Sequence, residues 1–307
     1  MAFFFTVQEK WEKNENIFAL CSVSSVWSVF FMLLVCCLYM KCAVLFFFST
    51  LLFAGVLVSC ASVEECTSSV PLVIAHRGGA SLAPENTLLC VGRAIALGAD
   101  VVEVDVRLTL DGEVVLMHNA RVDRTTNGHG RVASLTLAEI RALSIVDAHG
   151  VVTTERVPTL EELLYFVAGR CGVLVEVKDD DGRGIESVVL RVVEVCNAGG
   201  WVSVQSFSDK VLERFCFLGA SFPLEKLMVC KLPFIPYIFD GSFRRFSLEK
   251  YSHVSSFNIN HRFAGEGLVK RLQGAGKMVK VWVLDGCSKK SLQFVDGIIT
   301  DFPQLWK

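Results

Sequence analysis

From Pro71 onward, short apolar runs of strand length alternate with longer stretches of helical periodicity, and this alternation restricts the fold more than any other feature. Leu72-Val73-Ile74-Ala75 is continuously apolar, as a strand buried on both faces is. Further strands are expected at Val101 to Leu108, Glu113 to Met117, Gly172 to Val177, Trp201 to Gln205, Leu227 to Cys230, Val254 to Ile259, Lys280 to Leu284 and Gly297 to Thr300. Helices are expected at Glu85 to Leu97, Thr136 to Leu143, Leu160 to Val167, Gly184 to Cys196, Asp209 to Leu218, Gly265 to Gln273 and Ser288 to Phe294. Asp111-Gly112 reads as a tight turn between the second and third strands. Eight or nine strands in this length fit a (β/α)8 TIM barrel, within the α/β class, better than an open doubly wound sheet. No dinucleotide-binding fingerprint follows the first strand, and no internal repeat is present.

The barrel is assigned to residues 70–307. Residues 1–66 are expected to be a hydrophobic signal or anchor segment with a tether. The chain is 52% hydrophobic, and most of the excess lies before Ser62. Ile17 to Val63 is almost wholly apolar, broken by Lys41, and each side is long enough to span a bilayer. A hairpin turn at Tyr39 to Cys42 lacks Gly, Pro or Asn. Met40-Lys41 looks like a charged n-region and Ala43 to Val58 an h-region. Leu57-Val58-Ser59-Cys60 resembles the lipobox of bacterial lipoproteins, which places the true start at Met40 and makes Cys60 the lipidated first residue. A retained single-pass anchor and a cleaved secretion signal are the alternatives. All three put the barrel outside the cytoplasm, unless the topology is inverted, and the first two tie it to the membrane. Lys10 and Lys13, interleaved with Glu9, Glu12 and Glu15, give the positive-inside rule little to act on.

A formal net charge of -2 supplies no basic field for nucleic acid. The 12 cysteines include no CxxC pair with a matching His, so they are expected to be small buried hydrophobes and not zinc ligands.

The chemistry is carried by polar residues at strand ends, where parallel barrels build their sites. His76-Arg77 ends the first strand. Glu103 and Asp105 lie two apart on the second and face one side. His118 ends the third, Glu176 and Lys178 sit two apart on the fourth, Gln205 ends the fifth, and Trp282 lies on a late one. Valines flank Glu103 and Asp105, which argues against a solvated edge. Two carboxylates side by side in apolar surroundings repel unless a cation lies between them. With Glu176 they make three hard oxygen ligands and no thiolate, which favours Ca2+ or Mg2+ over zinc.

These segments resemble the glycerophosphodiester phosphodiesterase family. The resemblance runs through His76-Arg77-Gly78-Gly79, Pro84-Glu85-Asn86-Thr87, Glu103-Val104-Asp105, Leu116-Met117-His118, Asp123-Arg124-Thr125-Thr126-Asn127-Gly128, Glu176-Val177-Lys178 and Thr300-Asp301-Phe302-Pro303. It implies a metal-dependent hydrolase that cleaves glycerophosphodiesters to sn-glycerol 3-phosphate and an alcohol. One divalent cation would sit on Glu103, Asp105 and Glu176. Arg77 and Lys178 would hold the phosphoryl oxygens, and His76 and His118 would be the acid and base, in either order. Glu85 would pair with Arg77, while Gln205 and Trp282 would line the glycerol pocket. The family often has Asp after the second His, where this chain has Asn119. If the charge at that position tunes His118, Asn119 alters the pH profile.

Leu232 to Phe246 carries five aromatic residues beside Arg244 and Arg245. A packed barrel element accounts for it, and so does a lid over acyl chains, which would make a lysophospholipid the substrate of a lysophospholipase D. A lyase forming cyclic phosphates and a non-catalytic surface lipoprotein on the same barrel complete the alternatives.

Overall fold

The structure, a computed structural model, describes residues 70–178, 182–229, 248–286 and 294–307. The chain divides into Met1–Thr67 and Ser68–Lys307, and only the second unit falls within the described residues. The N-terminal apolar segment, the aromatic run at 232–246 and most of the helix expected at Ser288 to Phe294 lie outside them.

The apolar run Leu72–Ala75 forms β1. It pairs in parallel with β2 (Val101–Leu108) on one side and β9 (Gly297–Thr300) on the other. Between these lie β4 (Gly172–Val177), β5 (Val202–Ser206), β6 (Leu224–Met228), β7 (Ser256–Asn260) and β8 (Met278–Trp282). The order β1-β2-β4-β5-β6-β7-β8-β9 returns to β1, so eight parallel strands close a barrel. The short β3 (Val114–Leu116) pairs antiparallel with the far end of β2 and stands outside it. The third strand is therefore not a barrel strand. A turn at Asp111-Gly112 cannot carry a crossover, which needs a dozen or more residues, so the chain can only double back.

Side-chain alternation on the strands makes two layers. Val102, Val104 and Val106 of β2 and Val173, Val175 and Val177 of β4 point outward into the main core. The helices α1 (Leu88–Ala96), α3 (Leu160–Val167), α4 (Ile185–Val195), α5 (Asp209–Phe217) and α6 (Glu266–Gly274) cover that layer. Ile74, Leu174 and Ile299 point inward and plug the barrel beside Trp282. The excursion between β2 and β4 holds β3 and α2 (Leu137–Ala142) around a small core of its own, which includes Val115, Met117 and Ile140.

Three local expectations need correction. Helix α1 starts at Leu88, because Thr87 caps it by accepting from the Cys90 N–H and Asn86 sits at φ 56°. Glu85 thus lies in the turn before the helix and not in its first turn. Strand β6 starts three residues earlier than expected, because Glu225 and Lys226 are buried. Glu225 pairs with Lys280, and Lys226 with Asp209. Of the described cysteines only Cys90 is fully buried, which pushes its thiol up to about 12. Cys171 and Cys196 are half-buried, and α5 turns Cys216 to solvent.

The turn after β1 depends on Gly78, at φ 82°, where a Cβ would meet Val91 Cγ2 at 3.0 Å and Val91 N at 3.3 Å. Gly78→Ala should therefore destabilise the fold by about 1–3 kcal/mol. In urea unfolding the midpoint should fall at unchanged slope.

Candidate active site

Alternation along β2 and β4 turns Glu103, Asp105 and Glu176 into the barrel, and the register sets Asp105 beside Glu176. All three are buried, and one ligand oxygen from each lies within 4.8 Å of the others. Burial raises the Glu103 pKa, and the Asp105 charge raises it further. Burial likewise pushes Glu176 well above the ordinary carboxylate range, against the pull of Lys178 and with the Asp105 and Glu103 charges adding to the rise. Burial opposes ionisation of Asp105 too. There the Lys178 ammonium, 2.7 Å from Oδ1, and an Asn86 hydrogen bond of 3.0 Å to Oδ2 win, and its pKa falls. Lys178 Nζ also contacts Glu176 Oε1.

His76 and Arg77 form the 3-10 turn that ends β1, with Arg77 held in the left-handed region at φ 51°. This strained backbone lets the Arg77 N–H donate to Glu103 Oε2 at 2.8 Å. The Arg77 guanidinium donates from Nη1 to both Glu85 oxygens at 3.2 Å, and its Nε lies 3.7 Å from Asp105 Oδ2. Glu85 also accepts from Arg124, so one carboxylate holds two guanidiniums.

The tautomer of each histidine follows from its neighbour. His76 Nδ1 lies 2.6 Å from Asp301 Oδ1, and a carboxylate only accepts, so Nδ1 carries the proton. Its Nε2 lies 4.0 Å from Glu103 Oε2. His118 Nδ1 lies 2.9 Å from Asn119 Oδ1, which also accepts from Arg124 Nε at 3.0 Å. That oxygen is thereby fixed as an acceptor, so His118 Nδ1 is the donor and Nε2 is left with a lone pair. Burial lowers the pKa of both rings. At His76, Asp301 and Glu103 outweigh it and the pKa ends raised; at His118 it ends lowered, with Lys178 adding to the burial.

The residues expected at the site converge. His76, Arg77, Glu103, His118, Glu176, Lys178, Gln205 and Trp282 line one cavity of about 110 Å³. His118 arrives by a different route than expected. It follows β3, and the hairpin returns it to the level of Asp105, whose carbonyl accepts from the Met117 N–H at 2.9 Å. Gln205 is buried, with Nε2 donating to Glu103 Oε1 at 3.1 Å and Oε1 accepting from Asn258 at 2.7 Å. Trp282 is half-buried, its indole N–H donating to the Asn258 carbonyl and its ring edge-on to Phe207.

Three contributors have no role in the sequence reading. Asn86 brackets Asp105, donating to Oδ2 and accepting from the Asp105 N–H. Asp301 backs His76. Arg107 donates twice to the His118 carbonyl, at 2.9 and 2.8 Å. Asn86 and Asp301 sit inside recognisable motifs, but their partners, Asp105 and His76, are distant in sequence. Arg107 carries no signal of its own.

A profile of the Glycerophosphoryl diester phosphodiesterase family matches residues 76–305, which takes in every residue of this cluster. The chain belongs to that family. It is an enzyme of the glycerophosphodiester phosphodiesterase type, a phosphoric diester hydrolase. A glycerophosphodiester phosphodiesterase of Caldanaerobacter subterraneus subsp. tengcongensis is 34% identical over 242 residues, spanning 76% of this chain and 95% of the relative. A glycerophosphodiester phosphodiesterase of Agrobacterium tumefaciens has a solved structure that superposes with a TM-score of 0.62 at 26% identity, over 77% of this chain and 99% of that one. A phosphodiesterase of Oleispira antarctica, in complex with the product sn-glycerol-3-phosphate, shares the fold with a TM-score of 0.66 at 24% identity, over 77% of this chain and 95% of that one. Among glycerophosphodiester phosphodiesterases the expected acidic triad is thus set in an intact barrel here, with both histidines on its rim.

Proposed function

We propose that this phosphodiesterase hydrolyses glycerophosphodiesters to sn-glycerol 3-phosphate and an alcohol, with one divalent cation, Ca2+ or Mg2+, on Glu103, Asp105 and Glu176. The observation that carries the reading is a buried cluster of three carboxylates, two of which line one small cavity with two histidines and two cationic side chains. The product bound to the Oleispira relative supports the glycerol 3-phosphate half. The residues fit a hard cation. The three carboxylates each bring an oxygen within 4.8 Å of the others, and the Asp105 charge raises the pKa of both Glu103 and Glu176. When bound, the cation supplies Lewis-acid polarisation of the phosphoryl group.

The chain's own residues do the rest. Arg77 and Lys178 hold the phosphoryl oxygens and oppose the charge that builds on them. His118 Nε2, neutral because its pKa is lowered, takes the proton from the attacking water or substrate hydroxyl. His76 Nε2 carries the proton that the leaving alcohol oxygen receives, and Asp301 keeps that ring protonated. Glu85 holds Arg77 in place, and the Phe207–Trp282 wall faces the glycerol carbons. In 31P NMR, glycerophosphocholine should give the glycerol 3-phosphate resonance. Phosphocholine or a cyclic phosphate as sole product would contradict the assignment.

Asn119 gives a further prediction. Its amide oxygen contacts His118, so Asn119→Asp puts a carboxylate where a neutral acceptor stood. A carboxylate stabilises the imidazolium and raises the His118 pKa. The ascending limb of the kcat/KM–pH profile should therefore move to higher pH, and an unmoved limb would remove charge at this position from the account.

The N-terminal segment supports a membrane-tethered, extracytoplasmic enzyme, with Cys60 as lipidation site or the apolar run as anchor. Among the described residues no helix is long and apolar enough to cross a membrane. Mass spectrometry of the mature N-terminus tests the proposal: an unmodified Cys60 in an intact chain would sink the lipoprotein form.

A further inference from the structure

A chain of buried polar groups crosses the barrel interior and ends on Glu103. Lys280 of β8 donates to both Glu225 oxygens of β6 at 2.7 Å. Asn258 of β7 donates from Nδ2 to Glu225 Oε2 at 2.8 Å and to Gln205 Oε1 at 2.7 Å. Gln205 Nε2 then donates to Glu103 Oε1 at 3.1 Å. Glu103, Gln205, Glu225, Asn258 and Lys280 are all buried. Room for the Lys280 stem comes from Gly297, where a Cβ would lie 3.1 Å from Lys280 Cγ.

The direction of this chain is fixed by its ends. An amide is symmetric in shape, and its polarity has to be settled by its partners. Glu225, held by an ammonium, offers acceptors alone, so Asn258 turns its NH2 toward it. The second proton of the same NH2 goes to Gln205, so Gln205 turns its oxygen to Asn258 and its NH2 to Glu103. Ser256 Oγ donates to Asn258 Oδ1 at 3.0 Å and completes that amide. Lys280 and Asn258 both donate to Glu225, and from Asn258 onward the donors point one way, through Gln205 to the Glu103 carboxylate.

We propose that Asn258, anchored by the Glu225–Lys280 pair, is a positioning residue for Glu103, acting through the polarity of the Gln205 amide. Glu103 is then clamped at both oxygens, Oε1 by Gln205 and Oε2 by the Arg77 N–H at 2.8 Å. Were the Gln205 amide reversed, its oxygen would face a carboxylate oxygen with no proton between them, and Glu103 would swing from its place. The inference rests on Glu103 being a cation ligand, and it assigns a function to three strands, β6, β7 and β8, that supply no ligand themselves.

Calorimetric titration of the full-length protein with Ca2+ tests it, with Mg2+ as the second probe. Asn258→Leu keeps the side-chain volume, leaves Glu225 its lysine and removes both donors. It should weaken Ca2+ affinity about tenfold, the effect of one buried hydrogen bond to a charged group. Gln205→Leu should do the same. The double variant should equal Gln205→Leu alone within about twofold, because Asn258 acts through that amide. Affinity unchanged in Asn258→Leu, or effects that multiply in the double variant, would overturn the inference. No binding by the parent of either cation would overturn the metal reading itself, and this inference with it. A measurement on the parent covers the case in which Asn258→Leu does not fold. With 15N-labelled glutamine, the Gln205 side-chain amide should exchange with solvent far more slowly than surface glutamines. Exchange at the surface rate would overturn the proposal equally.

Discussion

Asp105→Asn should lower kcat/KM on glycerophosphocholine by about a thousandfold or more while leaving the protein folded. The substitution keeps the shape of the side chain and its place beside Asn86, whose amide already brackets it from two sides. It removes the one carboxylate of the triad whose pKa is lowered, and so the one most firmly ionised without a cation present. A cation at such a site contributes several kcal/mol of charge stabilisation, and each 1.36 kcal/mol is about tenfold in rate. Fold stability moves in two directions at once. Lys178 loses its 2.7 Å partner, but Glu103 and Glu176 lose a repulsive neighbour, so the thermal midpoint should shift little. Steady-state kinetics with a thermal melt on the same sample check both parts. A loss under tenfold would mean that Asp105 is not a ligand.

His118→Gln should cost about 10²–10⁴ in kcat, the usual worth of a positioned general base. It should also abolish the ascending limb of the pH profile. The sign follows from the two rings. His118 has a lowered pKa, so it is already a base below the ordinary histidine range, and the ascending limb reports it. His76 has a raised pKa, so it remains an acid above that range, and the descending limb reports it. Asp301→Asn removes the carboxylate that holds His76 protonated, so the descending limb should move to lower pH while the ascending limb stays. An ascending limb that moved with Asp301→Asn would reverse the two roles.

The barrel was legible because its strands are Val- and Ile-rich and its helices are bounded by caps and glycines. Gly172–Val177, Leu72–Ala75 and Leu160–Val167 fall where the pattern puts them. Strand β6 departs from the pattern because buried charge forms part of it. Glu225 and Lys226 look like a solvated stretch, and only the tertiary partners Lys280 and Asp209 allow β6 to include them. The acidic triad is legible because carboxylates between valines have few stable explanations. Asn86, Arg107 and Asp301 are not, because each acts by a hydrogen bond to a residue elsewhere in the chain. Gln205 lines the cavity, and its amide bonds to Glu103 and Asn258 link residues that are distant in sequence. His118 follows the third strand as expected, but a two-residue turn makes that strand a returning hairpin arm outside the barrel.

The central claim, that this cavity is a cation-dependent phosphodiesterase site, is tested most directly by glycerophosphocholine turnover in excess chelator, followed by add-back of Ca2+ or Mg2+. The account predicts that the chelator abolishes turnover and that one of these cations restores it with sn-glycerol 3-phosphate as product. Turnover that persists undiminished in chelator would contradict it.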